Sequence, residues 1–353
     1  MTVYRQIWVG TDANEGPDPE GIWRIQRPGP AGDWDGVDVV RTIAASRATY
    51  LTLHPSADRL YAVSEQDGGR VISYAFGADC TLGQVRSVAT GGSGPCHLRV
   101  HPQGRWLYVA NYGDGVLSAV ELTEAGDVSD HVLTFGHAGT GPNPDRQEGP
   151  HAHSTRISPG GGYLLVADLG TDEIRAYPLE SGRPDPDPVI TSLPAGSGPR
   201  HVAGSGRYLY ISGELSGEVL VLEWDENTGR GEVVQQVRAA TLPGRSEDAY
   251  YLSHILFSSG VVLVASRGSD SVSTFTVHDD GARLELAGEV HTGAWPRHMA
   301  LSGPNLLVAG EREDRVLIHP FTPRGDPEGR YQGAVGPVQH EIEIPRPMFI
   351  LPM

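Results

Sequence analysis

One pattern recurs along most of the chain: a short strand-like segment, a turn, and an apolar strand that ends in a polar residue. Two copies are CHLRVHPQGRWLYVAN and HAHSTRISPGGGYLLVAD, and the six copies begin at Ala48, Cys96, His151, Arg200, Leu252 and Arg297. Two more strand-like stretches follow each copy, such as VISYAFG and GQVRSVAT, with apolar and polar residues alternating as in a half-buried sheet. A four-stranded unit that repeats about every 40 to 50 residues is typical of a β-propeller blade.

The two ends of the chain supply one further copy. RQIWVGTD, GIWRIQRP and VDVVRTIA near the N-terminus match the second, third and fourth strands of a blade, and PMFILP at the C-terminus matches the missing first strand. Pairing of these ends would close the ring and leave no free sheet edge within it. The sequence therefore predicts an all-β fold, a seven-bladed β-propeller with four antiparallel strands per blade, as a single domain over residues 1–353. A β-sandwich is the alternative, but it does not explain a repeat of this length.

The charge of the chain restricts its partners. The net charge is −17 and every basic residue is an arginine. A phosphate backbone needs a basic surface, so nucleic acid is not expected as a partner. The absence of lysine also excludes a Schiff-base lysine and a phosphate loop that ends in lysine.

The cysteines and the apolar segments bear on location. There are two cysteines, Cys80 and Cys96, which are too few for a disulfide framework. The first residues, MTVYRQIW, show no signal-peptide pattern, and no apolar run approaches the roughly 20 residues of a membrane helix. We therefore expect a cytoplasmic protein without a membrane partner, as a monomer or a weak homo-oligomer.

Charged and histidine side chains recur at two positions of the repeat. The starts of the first strands carry His97, His151, His153, Arg200, His201, His254, Arg297 and His298, and the ends of the second strands carry Glu65, Asn111, Asp168, Glu214, Arg267 and Glu311. In antiparallel strands these positions share one edge of the blade, which surrounds one mouth of the central channel. The pattern predicts a site there for a small polar ligand. Any single histidine could instead join neighbouring blades, and Glu65 or Glu311 could simply neutralise an arginine.

The segment QEGPHAHSTRISPGGGYLLVADLGTDEI, residues 147–174, closely resembles the seven-bladed lactonase family, which includes propeller-type 6-phosphogluconolactonases and carboxy-cis,cis-muconate lactonizing enzymes. GSGPRH, SGELSG, ASRGSD and AWPRHMAL match its repeat motifs as well, so the resemblance covers essentially the whole chain. It implies an active site at the channel mouth made by His151 or His153 with Arg200, Glu214 and Arg267. The last blade departs from the family pattern, because Glu311, Arg312 and Glu313 stand where Asn or Gln is common. This departure leaves the substrate open.

These residues suggest roles in opening a lactone. Glu214 or a histidine of PHAHS could take a proton from water, and Arg200 or Arg267 could stabilise the oxyanion. Arg297 would bind a carboxylate or phosphate of a small anionic substrate. Further candidates for substrate binding are His97, Asn111, Asp168, His201, His254 and His298. No metal and no cofactor are expected, since the arginines would repel a cation, and no G-x-S-x-G motif is present.

Three functions fit this pattern. The first is hydrolysis of a sugar lactone, with 6-phosphoglucono-1,5-lactone as the leading candidate, and the second is lactone formation from a carboxylated muconate by a cycloisomerase. A phosphate would favour arginines gathered in one corner, whereas a tricarboxylate would favour dispersed arginines. The third is a non-catalytic interaction platform. The loop Gly136–Gly149 is expected to be part of a rim or lid, or else a surface insertion.

Overall fold

The computed structural model describes residues 5–12, 20–27, 29, 33–77, 79–242, 251–324 and 333–353. Residues 1–4, which enter the prediction about a signal peptide, lie outside these ranges. Helical structure within them consists of two 3₁₀ turns, Asp279–Gly281 and Glu311–Glu313. None of these helical segments is long or apolar enough to cross a membrane.

The strands form seven antiparallel sheets, which are numbered in chain order as blades 1 to 7. The first three sheets contain β1 (Arg5–Thr11), β2 (Ile22–Arg27) and β3 (Asp38–Ile43); β4 (Leu51–Leu53), β5 (Arg59–Ser64), β6 (Arg70–Phe76) and β7 (Leu82–Ala89); and β8 (Pro95–Val100), β9 (Trp106–Asn111), β10 (Val116–Leu122) and β11 (Val128–Gly136). The fourth contains β12 (Ala152–Ile157), β13 (Tyr163–Asp168), β14 (Glu173–Glu180), β15 (Arg183–Pro184) and β16 (Val189–Ser192). This blade differs from the predicted four strands because the short β15 adds to the edge of β14.

The remaining sheets complete the ring. They contain β17 (Pro199–Ser205), β18 (Tyr208–Gly213), β19 (Glu218–Asp225) and β20 (Arg230–Arg238); β21 (Tyr251–Ser258), β22 (Val261–Arg267), β23 (Ser271–His278) and β24 (Arg283–His291); and β25 (Pro296–Ser302), β26 (Asn305–Gly310), β27 (Arg315–Pro320) and β28 (His340–Glu343). The last strand, β29 (Pro347–Pro352), pairs with β1, and Val9 lies opposite Ile350. This confirms the predicted seven-bladed β-propeller and its closure by the two ends of the chain.

Apolar side chains lie between neighbouring blades. In one such layer Tyr210 and Val219 of blade 5 pack with Val262 and Phe275 of blade 6, and all four are almost fully buried. Burial of a large apolar side chain contributes roughly 1.5–3 kcal/mol to the free energy of folding. The alternation of apolar and polar residues in the sequence follows from this packing, since successive side chains of a strand face opposite sides of its sheet.

Candidate active site

A β-bulge near the start of the first strand decides which side chains enter the channel. In blades 3, 4, 5 and 7 one residue of this strand has no opposite partner, and these residues are Cys96, His153, Arg200 and Arg297. Blade 1 has the same irregularity at Met348, and in blade 6 Ser253 and His254 lie opposite a single residue. A bulge re-aims side chains locally. Residues from different blades therefore meet at one mouth of the channel.

The bulge residues of blades 1, 3, 4, 5 and 7 line a narrow cavity with a volume of about 10 Å³. Its lining consists of Thr49, Tyr50, Glu65, Cys96, His153, Arg200, His201, Arg297, His298 and Met348. The lining brings together two arginines, one carboxylate and three histidines from distant parts of the sequence, as predicted for the mouth.

Glu214, which follows β18, lies within a group of three arginines. Its Oε2 is 2.6 Å from Nη2 of Arg267 and 3.0 Å from Nε of Arg200. Nη2 of Arg146 donates a 2.7 Å hydrogen bond to Oε1. The Glu214 carboxylate is buried, and the backbone N–H of Glu214 donates to the carbonyl of Gly198. Gly198 has a φ of +57°, a conformation that glycine adopts without strain.

The charges around Glu214 determine its protonation. Burial alone would raise the pKa of Glu214, but the positive charges of Arg267 and Arg200 outweigh it and hold the pKa well below its usual range. Burial and neighbouring positive charges lower the pKa of Arg200 to about 9, which leaves its guanidinium protonated at neutral pH. Glu214 is therefore an ionised organiser of the guanidinium groups and, in this arrangement, a weak base.

The two histidines of the PHAHS segment lie in different places. His153 lines the cavity, and its Nε2 is 4.0 Å from Oε2 of Glu214. His151 lies outside the cavity lining, stacked on Tyr112 at 4.5 Å, with its Nδ1 2.7 Å from the Tyr112 carbonyl. Burial, aided by the charge of Arg200, lowers the pKa of His153 well below its usual value. His153 is thus neutral and is the PHAHS histidine that faces the cavity.

Below the cavity, six rings close the channel. They belong to Tyr50, His97, His201, His254, His298 and Phe349 and are called the aromatic plug. Centroids of Tyr50 and Phe349 are 3.9 Å apart, and those of His254 and His298 are 4.0 Å apart. Of the predicted substrate-binding histidines, His201 and His298 also line the cavity, whereas His97 and His254 do not. Burial lowers the pKa of all four histidines.

Arg297 lies apart from the Glu214 group. Among the described residues its one ion pair is with Glu311, at 3.9 Å, and that carboxylate is bound more closely by Arg346 at 3.1 Å. Glu65 also lines the cavity, accepts a 2.5 Å hydrogen bond from Thr49, and has its pKa raised by burial. Arg297 therefore borders the cavity without a tightly bound carboxylate.

Two further predicted substrate-binding residues, Asn111 and Asp168, do not line the cavity. Asn111 is buried and donates from Nδ2 to the Val116 carbonyl and the Ser118 hydroxyl. Asp168 is buried as well, and its Oδ1 accepts from the His151 backbone while Oδ2 lies 2.5 Å from Nδ1 of His137. Both side chains hold the turns that position the mouth.

The sequence did not single out two participants of this region. Arg146, on the loop Gly136–Gly149, contacts both Glu214 and the hydroxyl of Tyr112, so the loop contributes to the rim. Cys96 lies beside His153, with Sγ 3.3 Å from its carbonyl oxygen. In the described part of the chain, no group of three or more His, Cys, Asp and Glu side chains is placed to hold a metal ion.

Comparison with known proteins places this geometry in a family. The family model described as lactonase, 7-bladed beta-propeller, matches residues 6–352. A Bacillus subtilis protein named 6-phosphogluconolactonase is 31% identical over 283 residues, which cover 76% of this chain and 78% of that protein. A protein of the same name from Formosa agariphila is 30% identical over 292 residues, covering 77% and 80% of the two chains.

A solved structure agrees with these relatives. The periplasmic gluconolactonase of Pseudomonas aeruginosa superposes with a TM-score of 0.83 at 28% identity, over 99% of each chain. Since the family model spans nearly the whole sequence and the relatives exceed two thirds of it, the chain belongs to the lactonase family of seven-bladed β-propellers and is a lactone hydrolase resembling 6-phosphogluconolactonase.

Proposed function

We propose that this enzyme hydrolyses a sugar lactone that carries an anionic group, with 6-phosphoglucono-1,5-lactone as the first candidate substrate. The observation that carries the proposal is a local inversion of charge. The chain has a net charge of −17, yet Arg200 and Arg297 line one small cavity, and Arg146 and Arg267 pair with the same Glu214 carboxylate as Arg200. Such a pocket favours a small anion in spite of the negative charge of the whole protein.

In this proposal His153 acts on the attacking water. Water oxygen bonds to the lactone carbonyl carbon, and its proton passes to the imidazole, which is neutral because burial lowers its pKa. The ring C–O bond then breaks, and the same proton passes to the departing oxygen to give the open hydroxy acid. Glu214, 4.0 Å away, stabilises the transient imidazolium.

Arg200 and Arg267 are assigned to the oxyanion. Both guanidinium groups pair with Glu214, and Arg267 also donates to the carbonyls of Tyr251 and Leu252. Donors that are already oriented in a buried site stabilise the developing charge without reorganising. Each such donor typically contributes about 3 to 4 kcal/mol to the stabilisation of the transition state.

Arg297 is assigned to the anionic group of the substrate. It has no closely bound carboxylate among the described residues, and a phosphate would gain a charge-assisted, bidentate pair there. A cytoplasmic location is part of the proposal, supported by two cysteines that are both free.

The test is stopped-flow hydrolysis of freshly prepared 6-phosphoglucono-1,5-lactone beside unphosphorylated gluconolactone, corrected for spontaneous opening. Selective turnover of the phosphorylated lactone, lost in Arg267→Ala and Glu214→Gln but kept in the surface variant Arg105→Ala, is the expected result. No acceleration of either lactone would overturn the substrate assignment and direct the assay to carboxymuconate cyclisation. Full activity of both site variants would overturn the assigned roles.

A further inference from the structure

A second cavity opens at the opposite mouth of the channel. It has a volume of about 420 Å³ and is larger than the cavity of the candidate active site. Tyr50 and His298 line both cavities, so the aromatic plug separates them. The second cavity thus has its own opening and does not share the space in which a lactone would react.

Two arginines enter this cavity from neighbouring blades. Arg99 and Arg156 line it, and each stands three residues after the bulge residue of its strand, Cys96 and His153 respectively. The positions are equivalent in the repeat, so the side chains leave adjacent strands at the same depth. Burial and the charge of Arg99 lower the pKa of Arg156 to about 10, which shows that the two guanidinium groups act on the same space.

Neither guanidinium has a carboxylate partner among the described residues, although Asp and Glu outnumber Arg by 44 to 27. Arg99 donates from Nε to the Thr155 carbonyl at 3.2 Å, and Arg156 donates to the carbonyls of Val202 and Gly204. These bonds use neutral acceptors and leave the positive charges uncompensated. Nε of Arg156 is moreover buried without a hydrogen-bond partner.

Apolar side chains form part of the remaining cavity wall. They include the partly exposed Leu256, Phe257, Leu301 and Leu351. An inorganic anion would leave this wall in contact with water, and a cation would be repelled by both arginines. A ligand that satisfies the whole surface has one negative group and an apolar body.

We propose that this cavity binds an organic carboxylate with an aliphatic or aromatic body, the carboxylate lying between Arg99 and Arg156. The planar guanidinium groups match the two oxygens of a carboxylate, and the apolar body covers the aliphatic wall. The proposal does not depend on the identity of the lactone, because the aromatic plug divides the two cavities.

Isothermal titration calorimetry of the whole protein tests it with sodium octanoate, sodium benzoate and inorganic phosphate as probes. Octanoate or benzoate is expected to bind, and phosphate to bind much more weakly. Removal of one guanidinium in Arg156→Met or Arg99→Met should weaken binding at least about tenfold, because a hydrogen bond to a charged group is lost. The matched control Arg105→Met removes an exposed arginine and should bind like the parent protein.

A steric variant covers the case in which the arginine variants do not fold. Leu351→Trp enlarges a partly exposed side chain of the cavity wall, keeps both arginines, and should also abolish octanoate binding. Lactone turnover should persist in all of these variants, so loss of carboxylate binding is distinguishable from loss of the enzyme. Absence of octanoate and benzoate binding in the parent protein, or equal binding in Arg99→Met, Arg156→Met and the parent, would overturn the proposal. Phosphate binding as tight as octanoate binding would overturn the apolar part of it.

Discussion

His201 and His254, on the first strands of neighbouring blades, hydrogen-bond to each other through their Nδ1 atoms at 2.8 Å. One ring must donate and the other accept, so the pair requires different tautomers of two neutral imidazoles. Burial is the main cause that lowers the pKa of both, that of His254 to about 3. The histidines of the aromatic plug are therefore neutral in the folded protein, and protonating them would destabilise the fold.

The first prediction concerns acid stability. An unfolded chain binds protons at its histidines as the pH falls below about 6.5, whereas the folded plug does not until the pH approaches 3 at His254. Stability is thus fully present above about pH 6.5 and is lost as the pH falls. Each such histidine removes up to about 1.4 kcal/mol per pH unit. Urea unfolding at about pH 7 and pH 5.5 should show this loss before the carboxylates titrate.

Two variants isolate the plug from the other histidines. His254→Phe should make the unfolding free energy less dependent on pH over that interval, since one buried titrating ring is gone. His131→Phe changes an exposed ring on the outer surface and should leave the dependence as it was. An identical pH dependence in His254→Phe and the parent protein would contradict the assignment.

The second prediction concerns the carboxylate among the arginines. Glu214→Gln removes the partner of three guanidinium groups, two of them deeply buried. Uncompensated buried charge destabilises by several kcal/mol, so we expect a clearly lower Tm together with a loss of turnover of at least about a hundredfold. Thermal unfolding and lactone hydrolysis measure the two effects.

The surface variant Glu121→Gln, which breaks exposed pairs with Arg105 and His131, provides the control. Exposed pairs contribute about 0 to 1 kcal/mol, so its Tm and activity should stay close to those of the parent. Unchanged Tm in Glu214→Gln would show that the arginines are neutralised in another way.

The repeat predicted the fold because blade spacing and strand alternation are set by packing that every blade shares. It predicted ring closure for the same reason, since PMFILP has the pattern of a first strand. It also predicted that these charged residues lie together at one mouth of the channel, because strand starts and ends must share an edge. His153, Arg200 and Arg297 are found there together with Glu65.

The depth of each side chain was not predictable in the same way. A bulge shifts the strand register by one residue, and the residue types in these strands do not indicate where the bulge occurs. The sequence pattern put His97 at the same ring of positions as His153. In the structure Cys96 is the bulge residue equivalent to His153, and His97 is the next residue along the strand, opposite Ala110. Arg146 lies on a loop outside the repeat, so no periodic pattern could indicate its contact with Glu214.

The third prediction separates anchoring from chemistry. Arg297→Gln should raise KM for 6-phosphoglucono-1,5-lactone at least about tenfold, because a charge-assisted pair with phosphate is lost. The KM for unphosphorylated gluconolactone should change little, since that substrate has no phosphate to bind. Parallel steady-state assays of both lactones measure the difference.

Arg105→Gln serves as the control for removal of one positive charge from the protein, since it is exposed and distant in the fold. It should alter neither KM. Equal increases of KM for both lactones in Arg297→Gln would instead assign this residue to the sugar ring or to the structure of the mouth.

The fourth prediction concerns Glu65, the carboxylate beside Arg297 in the cavity. Burial raises its pKa, so it becomes charged at higher pH than an ordinary glutamate and then repels a bound phosphate. Binding of the product 6-phosphogluconate should therefore weaken as the pH rises in the parent protein relative to Glu65→Gln. The two proteins should bind 6-phosphogluconate alike at low pH and differ about fivefold or more in Kd at pH 8, as expected for about 1 kcal/mol of repulsion.

The phosphate's own titration is common to both proteins and cancels in the ratio of their Kd values, which calorimetry across this pH range would measure. A ratio that stays constant with pH would mean that Glu65 does not titrate within the site.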